Sequence, residues 1–358
     1  MTLLDPPAPP TPCFATDVIT FYHPDFWGLD SADALRDWAH DHPRLFWARV
    51  MDALAKAGVT GLELTFAPGD IDSALRAFGG ADAFRRELAT HGLFVVSAFV
   101  AGSDAPDWLQ GGNLPAIVAD AERRAAFLAE AGAQLLVAGL PMRTTFGTRP
   151  PFFVDAAYMT RMADIAHAVG EAVSRYGVKL AFHTESNSTL WYERDIDLFM
   201  ALTDPRYVWL CPDSCHIALG GGDPVAVARR HSQRIALAHW KDAVKPIDVE
   251  LTIDETVFAQ QQPYMTELGT GIVDWKAWAD AMSRTPGADI VLVELDEAAD
   301  PVAALRAGMA VVEGVRARPT VGDHAAVSTA PAPLPTPGAA TAADRARPSC
   351  GSPSSADA

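Results

Sequence analysis

Four short stretches in the second half of the chain carry carboxylates and imidazoles at the ends of apolar runs. They are His183-Thr184-Glu185, Asp213-Ser214-Cys215-His216, His239-Trp240-Lys241-Asp242 and Glu294-Leu295-Asp296. Carboxylate oxygens and imidazole nitrogens are ligands of divalent cations. Any one of these side chains alone could cap a helix or lie in a solvated loop. Four charged groups at the ends of buried runs would be costly without a counter-ion, so the pattern predicts a metal site.

The four stretches belong to a longer alternation of short apolar runs with segments of helical periodicity. The predicted strands are Asp17–Phe21, Val59–Phe66, Leu93–Val100, Gln134–Gly139, Val178–Glu185, Tyr207–Asp213, Arg234–Asp242 and Asp289–Asp296. The predicted helices include Leu45–Ala57, Ala83–Thr90, Ala121–Ala131, Ala156–Tyr176 and Trp275–Ser283. Four of these helices are followed by a glycine, at Gly58, Gly92, Gly132 and Gly177. Glycine at this position predicts a left-handed cap that ends the helix.

Strands that are apolar throughout indicate a parallel sheet buried on both faces. Eight such strands alternating with helices predict an α/β fold, a closed (β/α)8 barrel. A doubly wound sheet is the alternative, and it is disfavoured because no G-x-G-x-x-G motif follows the first strand. In a barrel, the carboxyl ends of all strands meet at one mouth. The four polar stretches are therefore expected to converge there.

Composition and charge exclude several classes of protein. The 358 residues carry a net charge of −17, and no cluster of lysine and arginine could form a nucleic-acid-binding face. The four cysteines do not form a disulfide framework. The amino terminus lacks the pattern of a signal peptide, and no apolar run approaches the roughly 20 residues of a membrane span. We expect a cytoplasmic protein that binds neither nucleic acid nor membrane.

Composition also divides the chain into three parts. Residues 1–12 are a proline-rich extension, and residues 13–318 form the barrel as a single catalytic domain. Residues 319–358 consist mainly of alanine, proline, serine, threonine and glycine. Such a segment cannot bury enough apolar surface to offset the entropy lost on ordering, so a disordered tail is predicted.

Several motifs resemble those of the xylose-isomerase-like sugar isomerase and epimerase superfamily of TIM barrels. They are Asp213-Ser214-Cys215-His216, His239-Trp240-Lys241-Asp242, the run Gly269–Trp275 and Val293-Glu294, within a match from about Phe14 to Val315. The resemblance implies a metal site formed by Glu185, Asp213, His239 and Glu294. Three carboxylates and one imidazole suit Mn²⁺ best, with Mg²⁺, Co²⁺, Fe²⁺ or Zn²⁺ as alternatives.

The motif at the end of the fifth strand departs from the family pattern. Family members often carry Glu-x-His or His-x-His at this position, whereas this chain has His183-Thr184-Glu185. The alternation of a strand places both His183 and Glu185 on the same face, so either could bind the metal. Its charge favours Glu185 as the ligand, which leaves His183 facing the substrate.

Four further side chains are candidates for substrate contact. His216 resembles the family's contact to a substrate hydroxyl. Glu63 ends the second strand, where it could face the site, cap a helix or pair with a buried basic residue. Lys241 could bind a substrate oxygen or form an ion pair with Asp242. Trp27 ends an aromatic segment after the first strand, which could form a lid or pack on itself or on a partner.

The resemblance implies proton-transfer chemistry next to a carbonyl group. Glu185 and Glu294 would act as acid and base on a keto-sugar or cyclic polyol ketone, through an enediolate. Return of the proton gives an isomerase or epimerase, which is the principal prediction. Loss of a leaving group gives a lyase, as in inosose dehydratases or in heteromeric enzymes that cleave keto-C-glycosides. A barrel with a purely structural role is a third alternative, and homo-oligomers and heteromers are both left open.

Overall fold

The computed structural model describes residues 12–100, 113–143, 154–254 and 256–316. The predicted amino-terminal extension, apart from residue 12, and the predicted tail lie outside these ranges. The proposed division of the chain into three parts therefore stays a prediction.

Eight parallel strands form the centre of the molecule. They are β1 (Cys13–Asp17), β2 (Gly61–Leu64), β3 (Phe94–Val100), β4 (Leu135–Gly139), β5 (Lys179–His183), β6 (Val208–Cys211), β7 (His239–Trp240) and β10 (Ile290–Val293). The order in the sheet is β6-β5-β4-β3-β2-β1-β10-β7. Parallel bridges from Leu210 to Ile235 and from Asp213 to His239 join the two ends of this sheet. The sheet is thus closed, which confirms the predicted (β/α)8 barrel and excludes the doubly wound sheet.

Helices surround the barrel and connect its strands. They are α1 (Pro24–Trp27), α2 (Ala32–Asp41), α3 (Pro43–Ala57), α4 (Ile71–Phe78), α5 (Ala81–Thr90), α6 (Leu114–Ala131), α7 (Ala156–Ser174), α8 (Glu193–Leu202), α9 (Ser214–Leu219), α10 (Pro224–Arg230), α11 (Val257–Gln261), α12 (Trp275–Met282) and α13 (Pro301–Arg316). The glycines at 58, 92, 132 and 177 all have positive φ, as expected where these helices end. Within the described ranges, none of the helices has the length and apolarity needed to cross a membrane.

The long connection between β7 and α12 contains additional short elements. Two strands, β8 (Asp242–Ala243) and β9 (Met265–Thr266), pair antiparallel outside the barrel sheet. The helix α11 and a 3₁₀ turn at Gln262–Tyr264 lie between them. A second 3₁₀ turn, Ser232–Arg234, precedes β7.

The first strand lies earlier in the chain than its apolar run predicted. The strand is Cys13–Asp17, whereas the predicted range Asp17–Phe21 is a 3₁₀ turn after its first residue. Oδ1 of Asp17 accepts a hydrogen bond of 2.6 Å from the amide of Ile19, which turns the chain out of the sheet. The prediction was wrong here because a buried 3₁₀ turn can be as apolar as a strand.

The interior of the barrel is filled by side chains. Ala15, Val96, Leu135, Val137, Ala181, Cys211, Leu237 and Leu292 form one buried cluster inside it. A larger apolar cluster includes the residues between the strands and the surrounding helices. A packed interior leaves the strand ends as the place where polar groups can reach a ligand.

Candidate metal centre

The carboxyl ends of four neighbouring strands bring four buried polar residues together. His183 ends β5, Asp213 follows β6, His239 lies in the two-residue strand β7 and Glu294 follows β10. Register supports the convergence, since Asp213 is bridged to His239 and His239 pairs with Leu292, two residues before Glu294. The four side chains are all buried. The predicted meeting of the polar stretches at one mouth of the barrel is therefore found in the structure.

Two groups of three side chains have the spacing of metal ligands. One contains His183, Asp213 and His216, and the other contains Asp213, His239 and Glu294. The candidate ligand atoms within each group lie within 4.8 Å of one another, and the two groups share Asp213. Three of the four predicted ligands thus stand together. Glu185 belongs to neither group among the described residues, whereas His183 does.

Individual distances indicate which atoms face the centre of the cluster. Nδ1 of His239 lies 2.7 Å from Oε2 of Glu294, and Nε2 of His183 lies 3.7 Å from Oδ2 of Asp213. The other oxygen of Asp213, Oδ1, accepts a hydrogen bond of 2.9 Å from the amide of His216. This bond caps the amino terminus of α9. The same contact that begins the helix therefore also holds the carboxylate of Asp213 in position.

Several of these buried atoms form no hydrogen bond of regular geometry within the described chain, although both nitrogens of His239 lie within ion-pair distance of a carboxylate. They are Oδ2 of Asp213, Oε2 of Glu294 and both ring nitrogens of His183 and His239. A buried polar atom without a partner costs about 1–3 kcal/mol. A divalent cation would supply a partner for the two carboxylate oxygens and for one ring nitrogen of each histidine, and it would offset the excess of buried carboxylates. The residues present therefore fit a metal ion.

Glu185 lies beside the two histidines of the first group. Its Oε2 is 3.6 Å from Nδ1 of His183, and its Oε1 is 3.3 Å from Nε2 of His216. The other ring nitrogen of His216 lies 2.7 Å from Oγ of Ser186. Burial raises the pKa of Glu185 well above its usual value and lowers the pKa of His216 to about 3. This arrangement gives a carboxyl group suited to holding a proton next to a neutral imidazole.

Lys241 is fully buried and forms ion pairs with two carboxylates. Its Nζ lies 3.1 Å from Oε1 of Glu294 and 2.6 Å from Oδ2 of Asp296. The alternative prediction of a pair with Asp242 is wrong because Asp242 points to the run Gly269–Trp275. There its carboxylate accepts amide hydrogen bonds and one from the indole of Trp275. Lys241 is therefore part of the polar cluster at the barrel mouth.

The other two predicted substrate contacts have different surroundings. Glu63 is completely buried, with Oε1 3.0 Å from Nε2 of His239. The ring of Trp27 stacks on Phe46 at 5.0 Å, and its indole donates to the carbonyl of Phe21. Trp27 thus packs within an aromatic layer, in line with the alternative that this segment packs on itself. Substrate contact by either side chain stays a prediction.

Asp296 is a polar residue of the cluster that was not among the predicted site residues. Burial, together with the neighbouring charge of Glu294, raises the pKa of Asp296 to about 7, although Lys241 opposes the shift. The sequence pattern could have indicated Asp296, since residues 294 and 296 alternate along the predicted strand Asp289–Asp296 and would share a face of it. The hydroxyls of Ser97 and Ser186, which contact Glu63 and His216, carried no comparable signal.

Known proteins similar to this chain include inosose dehydratases. The inosose dehydratase of Bacillus licheniformis is 28% identical over 152 residues, which cover 42% of this chain and 50% of that protein. The chain thus spans about half the length of this curated relative, as it does of the inosose dehydratase of Lactiplantibacillus plantarum.

Solved structures share the fold at low sequence identity. The IolI protein with a bound zinc atom has a TM-score of 0.61 and 14% identity, over 85% of this chain and 97% of that one. An L-ribulose 3-epimerase has a TM-score of 0.58 and 15% identity, over 85% and 95%.

A family model described as xylose isomerase-like TIM barrel matches residues 51–314, well over half of the chain. This match confirms the resemblance drawn from the motifs after strands β6, β7 and β10. The chain belongs to the xylose isomerase-like TIM barrel family.

Proposed function

We propose that the protein is a divalent-metal-dependent enzyme that removes a proton from the carbon next to the carbonyl of a polyhydroxylated ketone. The observation that carries the proposal is the buried cluster of Asp213, His239 and Glu294, whose candidate ligand atoms lie within 4.8 Å of one another and include atoms without a regular hydrogen bond in the described chain. The substrate class is a keto-sugar or a cyclic polyol ketone. The names of the relatives support it, since inosose is a cyclic polyol ketone and L-ribulose is a keto-sugar.

The ligand set that the geometry favours is His183, Asp213, His239 and Glu294. It differs from the prediction at one position, because His183 shares a group with Asp213 and Glu185 does not. Two imidazoles and two carboxylates suit Mn²⁺, with Mg²⁺, Co²⁺, Fe²⁺ and Zn²⁺ as further candidates. The zinc atom bound by the similar IolI structure supports a divalent cation without deciding which one.

A bound cation would polarise the substrate carbonyl and acidify the adjacent C–H group. The ionised form of Glu185 takes up this proton, because a raised pKa makes it a stronger base. Its two oxygens lie 3.3 Å from Nε2 of His216 and 3.6 Å from Nδ1 of His183. A proton is then delivered to the enediolate from the group formed by Glu294, Lys241 and Asp296, which are linked by ion pairs. The ammonium of Lys241 also stabilises negative charge that develops on substrate oxygen.

Isomerisation or epimerisation is the principal reaction that we propose, since return of a proton needs only these groups. Elimination of water is the second candidate, and the names of the inosose dehydratase relatives support it. Both reactions begin with the same proton abstraction, so they share the site and differ in the fate of the enediolate.

The proposal is tested first by metal analysis and then by reaction in D2O. We expect the purified protein to bind about one equivalent of Mn²⁺ after reconstitution, and Asp213→Asn to lose it. Ketoses, inososes and 3-keto-glycosides are then incubated with the loaded protein. Deuterium in recovered substrate or its epimer supports isomerisation, whereas a dehydrated product or free aglycone supports elimination. Failure to bind any divalent cation, with no effect of Glu294→Gln on any reaction, would instead support a structural barrel.

The roles of His183 and Glu185 are separated by a matched pair of variants. We expect His183→Gln to weaken Mn²⁺ binding by about 10-fold or more, because it removes a ligand. Glu185→Gln should bind the metal normally and lose about 10²- to 10⁴-fold in kcat, because it removes the acid/base group. Titration calorimetry and initial rates measure the two effects. The reverse pattern would establish Glu185 as the ligand.

A further inference from the structure

We propose that Glu63 is a positioning residue that fixes the orientation and the tautomer of His239 for metal binding. The proposal rests on the proposed function, since it assigns a role toward the same metal centre. It concerns the side of the imidazole that faces away from Glu294, about which the motifs and the relatives make no statement.

The two nitrogens of His239 face different carboxylates. Nδ1 lies 2.7 Å from Oε2 of Glu294, inside the group of candidate ligands. Nε2 lies 3.0 Å from Oε1 of Glu63 on the opposite side of the ring. The contact is an ion pair without the angle of a regular hydrogen bond. A carboxylate offers only acceptor oxygens, so its proximity favours the tautomer with the proton on Nε2. The lone pair of Nδ1 is then directed to the metal centre.

The other oxygen of Glu63 is held in place by the next strand. Oε2 accepts a hydrogen bond of 2.5 Å from Oγ of Ser97. The register between β2 and β3 shifts between Leu62 and Glu63, so that Glu63 pairs with Ser97 instead of Val96. An irregularity of this kind re-aims side chains locally. Here it places the serine hydroxyl against the carboxylate that contacts His239.

The other roles considered for Glu63 fit the structure less well. Glu63 lies within β2, and the helix that follows is capped by Asp70, which accepts from the amide of Ser73. The side chain of Glu63 is 0% exposed, with one oxygen toward Ser97 and the other toward His239. A substrate would have to displace one of these contacts to reach it. Orientation of a metal-binding imidazole by a carboxylate is a general feature of metal sites.

The test compares Mn²⁺ affinity in the full chain by titration calorimetry. Glu63→Gln keeps the size of the side chain, and we expect it to weaken Mn²⁺ binding by about 10- to 100-fold. Ser97→Ala removes the hydroxyl that holds Glu63 and should weaken binding less, in the same direction. Asp197→Asn is the matched control, since Asp197 on α8 contacts the ring of His231 at 2.7 Å, and it should leave Mn²⁺ affinity unchanged.

A structural role for Glu63 and a substrate contact give different results. Thermal unfolding in EDTA shows whether each variant is folded, and Ser97→Ala serves as the test if Glu63→Gln is not. At saturating Mn²⁺, Glu63→Gln should keep the KM of the wild-type protein. Unchanged Mn²⁺ affinity in folded Glu63→Gln, or unchanged affinity with a raised KM, would overturn the proposal. Absence of Mn²⁺ binding by the wild-type chain would reject the proposed function itself.

Discussion

A lysine that is almost inaccessible to solvent is the most unusual single residue of the cluster. Lys241 is 1% exposed, and its ammonium group lies between the carboxylates of Glu294 and Asp296. Burial alone lowers the pKa of a lysine, but these two carboxylates raise the pKa of Lys241 well above its usual value. The positive charge of Lys241 is thus compensated by its two neighbours. The ammonium group links Glu294, a candidate metal ligand, to the carboxyl group of Asp296.

Replacement of Lys241 by methionine should reduce stability strongly. The substitution keeps the length of the side chain and leaves the buried carboxylate of Glu294 without its cation, which costs about 3–5 kcal/mol. Urea unfolding of the metal-free protein measures the change. Lys245→Met is the matched control, because Lys245 pairs with Asp248 at the surface, and we expect no measurable change. Equal effects of the two substitutions would contradict this account of Lys241.

At the scale of elements, close contacts between helices and strands determine which glycines can be replaced. Gly170 lies on α7, where an added Cβ would meet the carbonyl oxygen of Tyr207 at 2.4 Å. Gly314 lies on α13, where an added Cβ would meet no atom of the described residues within 4 Å. Substitution by alanine at Gly314 therefore tests helix propensity alone, whereas substitution at Gly170 also tests how closely the helix packs on the barrel.

Substitution of these two glycines by alanine should change stability in opposite directions. Gly170→Ala forces α7 away from the start of β6 and should destabilise by about 1–3 kcal/mol, as overpacking does. Gly314→Ala should stabilise by up to about 1 kcal/mol, because alanine favours the helical backbone. Thermal or urea unfolding of both variants checks the prediction. A stabilising Gly170→Ala would show that α7 does not pack as closely as described.

At the scale of the whole molecule, the metal centre joins four strands that are distant in sequence. Its candidate ligands come from β5, β7 and the residues after β6 and β10, which span more than 100 positions of the chain. A cation bound only by the native arrangement stabilises the fold by mass action. The closure of the barrel between β6 and β7 runs through the same residues, Asp213 and His239.

Removal of the metal should therefore lower the stability of the whole barrel. At a free Mn²⁺ concentration about 100 times the Kd, binding adds about 2.7 kcal/mol to the free energy of unfolding. Urea unfolding in Mn²⁺ and in EDTA measures this difference. In Asp213→Asn the difference should disappear, because the residue shared by both ligand groups is lost. A wild-type protein with equal stability in the two buffers would argue against a folded-state metal site.

The sequence by itself determined those features that depend on local pattern. Apolar runs with helical segments between them predicted the eight strands, and the glycines after the helices predicted where α3, α5, α6 and α7 end. The polar residues at the ends of the last four predicted strands were enough to predict where the site lies. Every strand of a parallel barrel runs in the same direction, so these ends meet at one mouth. The boundaries of the first strand were predicted wrongly from the apolar pattern, since a buried turn is also apolar.

Only the tertiary structure decided how the polar side chains are paired. Alternation placed His183 and Glu185 on one face, but the closed barrel brought His183 and not Glu185 into the groups of candidate ligands around Asp213. It also gave Lys241 its carboxylate partners and Glu63 its contact with His239. These contacts depend on strand register and on the closure between β6 and β7. They join residues far apart in the chain, so local periodicity carries no information about them.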